Sequence, residues 1–418
     1  MNAEVISLGC RLNIAESETI RALLAGSGDL VVVNSCAVTA EAVRQTRQAI
    51  RKARRARPDA RLLVTGCAAE IERSQLAAMP EVDGLVPNGA KLDGRSYNVG
   101  LQEPARPELV EGPPFSFATL QREERPFEKL RSNGAGAHTR AFIAVQNGCD
   151  HACTFCVIPQ GRGASRSLPV GDVLREVERH LEQGAAEVVL TGVDVTSWGH
   201  DLPDSPSLGS LVRSILDAFP PLRRLRMSSL DGVEIDDTLF ELLAGEARVM
   251  PHLHLSLQHG HDLILKRMKR RHSRSDAVSL VERLRARRPE IAIGADLIAG
   301  FPTEDEEMHA ANRSIIRELG IVHCHVFPYS PRPGTPAARM PQVASPEIKA
   351  RAAELRAEAA EVREAWLAGL VGSELSVLAE SDGTGHADNF ARVTVPEGTQ
   401  RGAVVAVTPR SLHQGLLQ

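Results

Sequence analysis

Aromatic side chains are scarce in this sequence, with two Trp, two Tyr and ten Phe among 418 residues. That scarcity argues against extensive stacking of nucleic-acid bases on aromatic rings. No apolar run approaches the ~20 residues of a membrane span. The opening residues, MNAEVISLGC, lack the basic start and apolar core of a secretion signal and read directly into a strand. A cytoplasmic protein without a membrane partner is expected. Net charge is only −4, from 49 basic and 53 acidic residues, so any nucleic-acid contact must come from local patches. Cysteine is sparse and odd in number, seven in all. In a reducing compartment this argues against a disulfide framework and gives weight to metal or redox use.

The length implies two or three domains. Over the first ~90 residues, EVISLGC, DLVVVNSC and RLLVTGC alternate with helical patterns near 15–25 and over 39–57. That order predicts βαβ units and a parallel sheet, assigned to a domain over 1–102. Residues 103–140 are rich in Pro, Gly and charge and read as a linker. From Ala141 six strand candidates follow, AFIAVQNGC, EVVLTGVDV, LRRLRMSSLDG, HLHLSLQHG, IAIGADLIAGFP and IVHCHVFPYS. Amphipathic stretches such as 170–183 and 273–287 lie between them, so a partial TIM-like (βα)6 barrel is expected over 141–345. A connecting helix is predicted within 346–372. Short β-like runs over 373–418 suggest a small all-β appendage that leans on the rest of the protein.

Three of the cysteines, Cys149, Cys153 and Cys156, fall in one short loop after the first barrel strand, at the strand end where such barrels bind ligands. Three thiolates can hold three irons of a four-iron cluster and leave the fourth iron open. Zinc is the alternative. It normally takes four protein ligands in structural sites, and the nearby candidate is His151, at an unusual spacing. Cys10, Cys36 and Cys67 each end an apolar strand of the N-terminal series, so parallel strands would bring them to one sheet edge. Buried structural cysteine is the plain alternative; a second three-ligand cluster explains three equivalent placements better. Cys324, inside a strand, reads as core.

The loop CDHACTFC, with Phe155 before its last cysteine, resembles the radical S-adenosylmethionine superfamily, and the resemblance runs from Ala141 to about Pro341. It implies that the open iron chelates the methionine portion of S-adenosylmethionine and that electron transfer generates a 5′-deoxyadenosyl radical. It further implies cofactor contacts at Thr191, Gly192 and Asp194, which match the place that receives the methionine amino group. Ser229, Ser256, Gln258 and Asp296 would supply polar contacts near later strand ends, and Ile298–Glu304 (IAGFPTE) would lie beside adenine. Each of these residues also has an ordinary reading as a cap or turn residue. Two three-cysteine sets in this order resemble the methylthiotransferases of that superfamily, over nearly the whole chain. The resemblance implies two [4Fe–4S] clusters, one of which supplies or carries sulfur. No catalytic side chain beyond the cluster ligands is assigned.

The stretch RQTRQAIRKARRAR, 44–57, holds seven basic residues and no acid. Helical spacing puts Val43, Thr46, Ile50 and Ala53 on one face and Arg44, Arg47, Arg51 and Arg55 largely off it. Phosphate binding and a solvated helix face are both open readings. A second basic patch, KRMKRRHSR, contributes Lys266 and Arg270. The segment DGTGHADNFARV resembles a short RNA-binding TRAM module. Expected partners are a tRNA substrate, an external electron donor and a sulfur donor. After its first cysteine the chain has Arg11, Leu12 and Asn13, where family members acting on isopentenyladenosine tend to have Gln-Met-Asn. The stretch 325–343, together with RQAIRKARRARPDA at 47–60, looks most like the branch that modifies N6-threonylcarbamoyladenosine beside the anticodon, whose carboxylate an arginine such as Arg332 could pair with. The alternatives are action on isopentenyladenosine and, from another class, an iron–sulfur electron carrier or RNA-binding module.

Overall fold

The computed structural model describes residues 3–97 and 139–418, so the linker expected over 103–140 lies almost wholly outside the described residues. The chain forms two compact units. One contains residues 3–97 with Gly148–Asp150 and Val157–Ala164; the other contains Thr139–Asn147, His151–Cys156 and Ser165–Gln418.

In the first unit the order is β1 (Glu4–Ser7), α1 (Arg11–Leu23), β2 (Leu30–Ser35), α2 (Ala40–Ala56), β3 (Arg61–Gly66), α3 (Cys67–Ile71), α4 (Arg73–Ala77) and β4 (Gly84–Leu85). The strands run parallel in the order β1-β2-β3-β4, with Ser7 beside Asn34 and Asn34 beside Thr65. Strands β2 and β3 are almost fully buried because helices cover both faces, which is why they read as unbroken apolar runs rather than alternating ones. Helix α2 begins where the Thr39 side chain accepts from the Ala42 amide, and it buries Val43, Thr46, Ile50 and Ala53, the face its spacing predicts.

The second unit opens with β5 (Arg140–Ala144). A hairpin of β6 (Gln146–Asn147) and β7 (Arg166–Ser167) follows, its ends flanking the cysteine loop and a short helix, α5 (Ile158–Arg162), that belongs to the first unit. Next come α6 (Val170–Glu182), β8 (Glu187–Thr191), α7 (Leu208–Ala218), β9 (Leu225–Met227), α8 (Asp237–Gly245), β10 (His252–Gln258), α9 (Asp262–Arg267) and α10 (Arg274–Arg287). The barrel ends with β11 (Ala292–Ala299), α11 (Glu306–Glu318) and β12 (Ile321–Pro328). The six longer strands, β5, β8, β9, β10, β11 and β12, pair in parallel as two three-stranded groups. Single bridges from Leu225 to Val249 and from Leu230 to Leu255 link the groups. Ser273 caps α10 in a reciprocal capping box with Asp276. Among the described residues strand β12 pairs only with β11, and His325 and Phe327 near its end are exposed. Cys324, expected in the core, is half-buried, and burial pushes its thiol up to about 12.

Helix α12 (Ser345–Gly369) leads into a C-terminal sheet of β13 (Leu375–Ala379), β14 (Thr384–Ala387), β15 (Arg392–Thr394), β16 (Val404–Val407), β17 (Leu412–His413) and β18 (Leu416–Leu417), in the order β16-β13-β14-β15-β18-β17. The sheet is anchored to the starts of the barrel strands. Buried Glu187 accepts from Arg140, Arg224 and Arg226 at 2.8, 3.0 and 3.1 Å. These arginines continue into the sheet: Arg226 donates to the Asp388 carbonyl at 3.0 Å, Arg140 bonds Glu380 at 2.5 Å, and Arg224 bonds the Asp388 carboxylate. Phe390 lies under the Arg226 guanidinium at 4.9 Å and stacks on His252 at 5.2 Å. No helix among the described residues is long and apolar enough to cross a membrane.

Burial works against ionisation of Glu187, but the three arginines overcome it and hold the carboxyl at about 2, below its ordinary 4.5. Its stabilising contribution is therefore complete above about 4.5 and is lost as pH falls toward about 2. Glu187→Gln should cost roughly 3–5 kcal/mol by leaving buried cations without a counter-charge. Denaturant unfolding at neutral pH checks the cost, and the variant should lose less stability than the parent on acidification.

Candidate active site

The parallel register puts the chain segments after β1, β2 and β3 at one edge of the N-terminal sheet. Cys10 caps α1, Cys36 follows β2 and Cys67 opens α3. Gly9, at φ +96°, turns so tightly that an added Cβ would sit 2.6 Å from Cys36 Cβ and 2.9 Å from its sulfur. Gly66, at φ +90°, has no room either, because a Cβ there would meet the Ser35 carbonyl and Asn34. The backbone is thus cut back on both sides of Cys36. Burial pushes the Cys36 thiol up to about 11, and the neighbouring Cys10 and Cys67 add to the effect. A buried thiol such as Cys36 ionises readily only when a cationic group joins it, which suits a metal cluster.

Behind this edge lies a polar group that the sequence reading missed. Arg162, from α5, donates to Glu16 at 2.8 and 3.1 Å and to Asn13 Oδ1 at 2.5 Å, and Lys91 Nζ donates to Glu16 at 2.5 Å. Asn13 donates to the carbonyls of Leu8 and Ser35, tying the first two cysteine-bearing turns together. All four side chains are buried. Burial would raise the Glu16 carboxyl, but Arg162 and Lys91 hold it at about 2. Nothing local in IPQGRG or GAKLDG marks Arg162 or Lys91 as a pair, since their partner is far away in sequence; Asn13 and Glu16, three and six places after Cys10, were the available signal.

Of the loop cysteines, Cys149 falls in the first unit, where its amide donates to the Gly163 carbonyl at 3.1 Å. Cys153 and Cys156 fall in the second, joined by a bond from the Cys156 amide to the Cys153 carbonyl. Thr154 between them is clamped by the Met268 and Arg267 carbonyls, and Phe155 packs edge-on against Phe301. Arg270 Nη1 lies 3.6 Å from Cys153 Sγ, while Nη2 binds Asp231 and the Ser256 carbonyl at 2.8 and 2.9 Å. Its Nε is buried with no hydrogen-bond acceptor among the described residues. A spare guanidinium donor beside a cysteine fits a site for an anionic group. The sequence reading set Arg270 against RNA phosphate, but the structure buries its side chain here because Asp231 and Ser256 draw it inward.

Thr191 is buried at the end of β8. An added Cβ at Gly192 would lie 2.9 Å from Gln146 Oε1, which accepts from the amides of Val193 and Asp194. Asp194 meets His151 Nε2 at 2.6 Å and accepts from Ser197 at 2.8 Å. Ser229 and Ser256 are half-buried, and Gln258 ends β10 in the left-handed region at φ +70°. Asp296 brings two histidines to its carboxylate. It lies inside β11, and its Oδ1 meets His254 at 3.1 Å and His325 at 3.0 Å. The segment Ile298–Glu304 is held by its own last residue. Glu304 accepts from the amides of Gly300 and Phe301 at 2.9 and 3.1 Å and meets buried His259 and Arg351.

On α2, Arg44 pairs with Glu41, Arg47 with Glu72, and Arg51 loosely with Glu81 at 3.8 Å. Arg55 and Lys266 are exposed. The absence of acid within 44–57 is therefore offset by acids from neighbouring segments. Arg332 is buried.

The chain matches the Radical SAM superfamily over residues 143–313 and the uncharacterized protein family UPF0004 over residues 2–87. It is 42% identical to the threonylcarbamoyladenosine tRNA methylthiotransferase MtaB of Rickettsia prowazekii, across 100% of this chain and 97% of that one. It is 36% identical to a tRNA-2-methylthio-N(6)-dimethylallyladenosine synthase of Cereibacter sphaeroides, across 96% and 93%. The structure of the radical S-adenosylmethionine methyltransferase TsrM from Kitasatospora setae, with cobalamin and a [4Fe–4S] cluster bound, matches in fold with a TM-score of 0.50 at 19% identity, over 78% of this chain and 66% of that one. Barrel, cysteine loop and superfamily match together define a radical S-adenosylmethionine enzyme, with S-adenosylmethionine and a four-iron cluster as its cofactors. Within that class the chain belongs to the methylthiotransferase family.

Because Glu304 holds the Gly300 and Phe301 amides, Glu304→Ala should loosen the segment expected beside adenine. Loss of charge-assisted hydrogen bonds of this kind costs about 1.5–3 kcal/mol, so affinity for S-adenosylmethionine should fall about tenfold or more. Calorimetric titration of the reconstituted protein checks this, with iron content unchanged.

Proposed function

We propose that this protein adds a methylthio group to C2 of N6-threonylcarbamoyladenosine at position 37, beside the tRNA anticodon. The observation that carries this reading is end-to-end identity of 42% to a relative named for that activity, against 36% to one named for the dimethylallyl substrate. In this reading Cys149, Cys153 and Cys156 hold the radical cluster, and Cys10, Cys36 and Cys67 hold a second four-iron cluster. Bound there, the clusters and S-adenosylmethionine supply the sulfur, methyl and radical chemistry.

The chain's own residues bind and orient. Asp194, which meets His151, is the candidate to receive an ammonium group in exchange for it. Arg270 offers its spare donor to an anionic group beside Cys153. Thr191, Gly192, Ser229, Ser256 and Gln258 line strand ends where ribose and carboxylate contacts fit, and buried Arg332 is the candidate partner for the threonylcarbamoyl carboxylate. Exposed Arg44, Arg51 and Arg55, half-buried Arg47 and exposed Lys266 are the candidates for RNA phosphate. An electron donor and a sulfur donor complete the partners, and a tRNA substrate accords with a cytoplasmic location.

Mass spectrometry of tRNA nucleosides from a deletion strain of the source organism tests the substrate. Loss of 2-methylthio-threonylcarbamoyladenosine is expected, and its persistence with loss of the isopentenyl counterpart would transfer the assignment to that substrate. With reconstituted protein, Cys153→Ala should abolish release of 5′-deoxyadenosine. Cys36→Ala should keep some of that release while forming no methylthiolated product. Replacing Arg44, Arg47, Arg51 and Arg55 with Gln should flatten the salt dependence of tRNA binding, by at most about one log–log unit per contact, since three of them hold acidic neighbours.

A further inference from the structure

The histidines of HLHLSLQ and IVHCHVF have no part in the chemistry described so far, yet two of them meet one carboxylate. Strands β10, β11 and β12 lie side by side and parallel. In their register Gly294 lies between His254 and His323, and Asp296 pairs with His325. The two-residue period of a strand sets Gly294 and Asp296 on the same face. His254 Nε2 and His325 Nδ1 converge there on a single oxygen, Asp296 Oδ1, at 3.1 and 3.0 Å, rather than taking one oxygen each. Glycine weakens the interior of a strand, and the neighbouring ring explains Gly294, because an added Cβ would lie 2.3 Å from His254 Nδ1. Strand β11 gives up a side chain to seat this imidazole.

With neutral imidazoles the group carries one negative charge, so the ligand that suits it is a cation. Two imidazole nitrogens and a carboxylate oxygen are a donor set for borderline divalent ions such as zinc. Zinc bonds of about 2.0–2.1 Å place adjacent ligands of a tetrahedron about 3.3 Å apart. The two separations to Asp296 are close to that edge, and all three donor atoms lie within 4.8 Å of one another. Side-chain exposure rises from 8% at His254 through 22% at Asp296 to 63% at His325. The group is therefore anchored on its inner side and reached from solvent on its outer side, where the His325 ring has room to adjust.

We propose that His254, Asp296 and His325 form a zinc site that uses none of the six cluster cysteines. Each imidazole coordinates in the tautomer that keeps its hydrogen on the other ring nitrogen, so the ion replaces two hydrogen bonds without ionising either ring. Three protein ligands leave a fourth position for water or for an oxygen of a bound molecule. The site does not depend on which nucleoside is modified. A hydrogen-bonded trio that only ties three strands together takes up no ion.

The test uses the full chain without a histidine tag, with its iron–sulfur clusters reconstituted so that the cluster thiolates are occupied. Zinc chloride is titrated anaerobically by calorimetry, with iron analysis to verify that no cluster iron is displaced, and zinc X-ray absorption reads the ligand set. One zinc per chain is expected, with nitrogen and oxygen neighbours at about 2.0–2.2 Å and no sulfur at about 2.3 Å. His325→Ala and Asp296→Asn should each weaken binding about a hundredfold or more, since the partners of metal ligands alone are worth about 10–100-fold. Cys324→Ser, one place before His325, should leave binding unchanged. Should Asp296→Asn fail to fold, His325→Ala decides, because that side chain is largely exposed. Absence of stoichiometric zinc from the parent, sulfur in the zinc shell, loss of binding in Cys324→Ser, or parental affinity in His325→Ala would each overturn the site.

Discussion

Parallel strands all finish at the same edge of a sheet, and the chemistry of this protein depends on that constraint. Once hydrogen bonding aligns Ser7, Asn34 and Thr65 across β1, β2 and β3, the next residues of three separate segments have nowhere else to go. Cysteines 26 and 31 positions apart become neighbours without any long loop being ordered to bring them together. The barrel uses the same rule. Thr191 of β8, Ser256 and Gln258 of β10 and the segment Ile298–Glu304 after β11 come from three strands yet share the carboxyl end. The glycines at 9 and 66 are what the rule requires locally, since a side chain at either would occupy the space of the cysteines and their supporting backbone.

What could be read from the sequence follows from this. Strands buried on both faces announce themselves as apolar runs, so β2, β3, β8 and β11 were legible, as was the buried stripe of α2. The six cysteines were legible because each terminates such a run or sits in one tight loop. Arg162, Lys91 and His259 were not. Their significance comes from partners dozens of residues away, and a single charged or imidazole side chain carries no period or spacing. Asp296 and Arg270 are legible as polar residues, but their neighbours are not. The chain shows that a polar residue lies near a strand end; which neighbour claims it is decided by two histidines on adjacent strands in one case and by Asp231 in the other.

Charge in this molecule is organised by depth more than by number. The surface arginines of α2 hold acids in exposed pairs of the kind worth up to about 1 kcal/mol. Glu16 and Glu187 are different, each being a buried carboxylate that gathers cations from distant segments. Both sit where elements far apart in sequence have to be held in register, Glu16 behind the sulfur-bearing edge and Glu187 beneath the barrel. Desolvation makes such groups costly when incomplete, so they hold their partners to one arrangement.

The contact beneath the barrel bears on how such a protein can be recombined. Arg140, Arg224 and Arg226 sit on or beside barrel strands but spend part of their hydrogen bonding on Glu380, Asp388 and the backbone near Phe390. The C-terminal sheet is therefore written into the barrel's own strands. Exchanging this sheet for another would strip three arginines of part of their hydrogen bonding, so a graft at this junction has to supply acceptors in the same places.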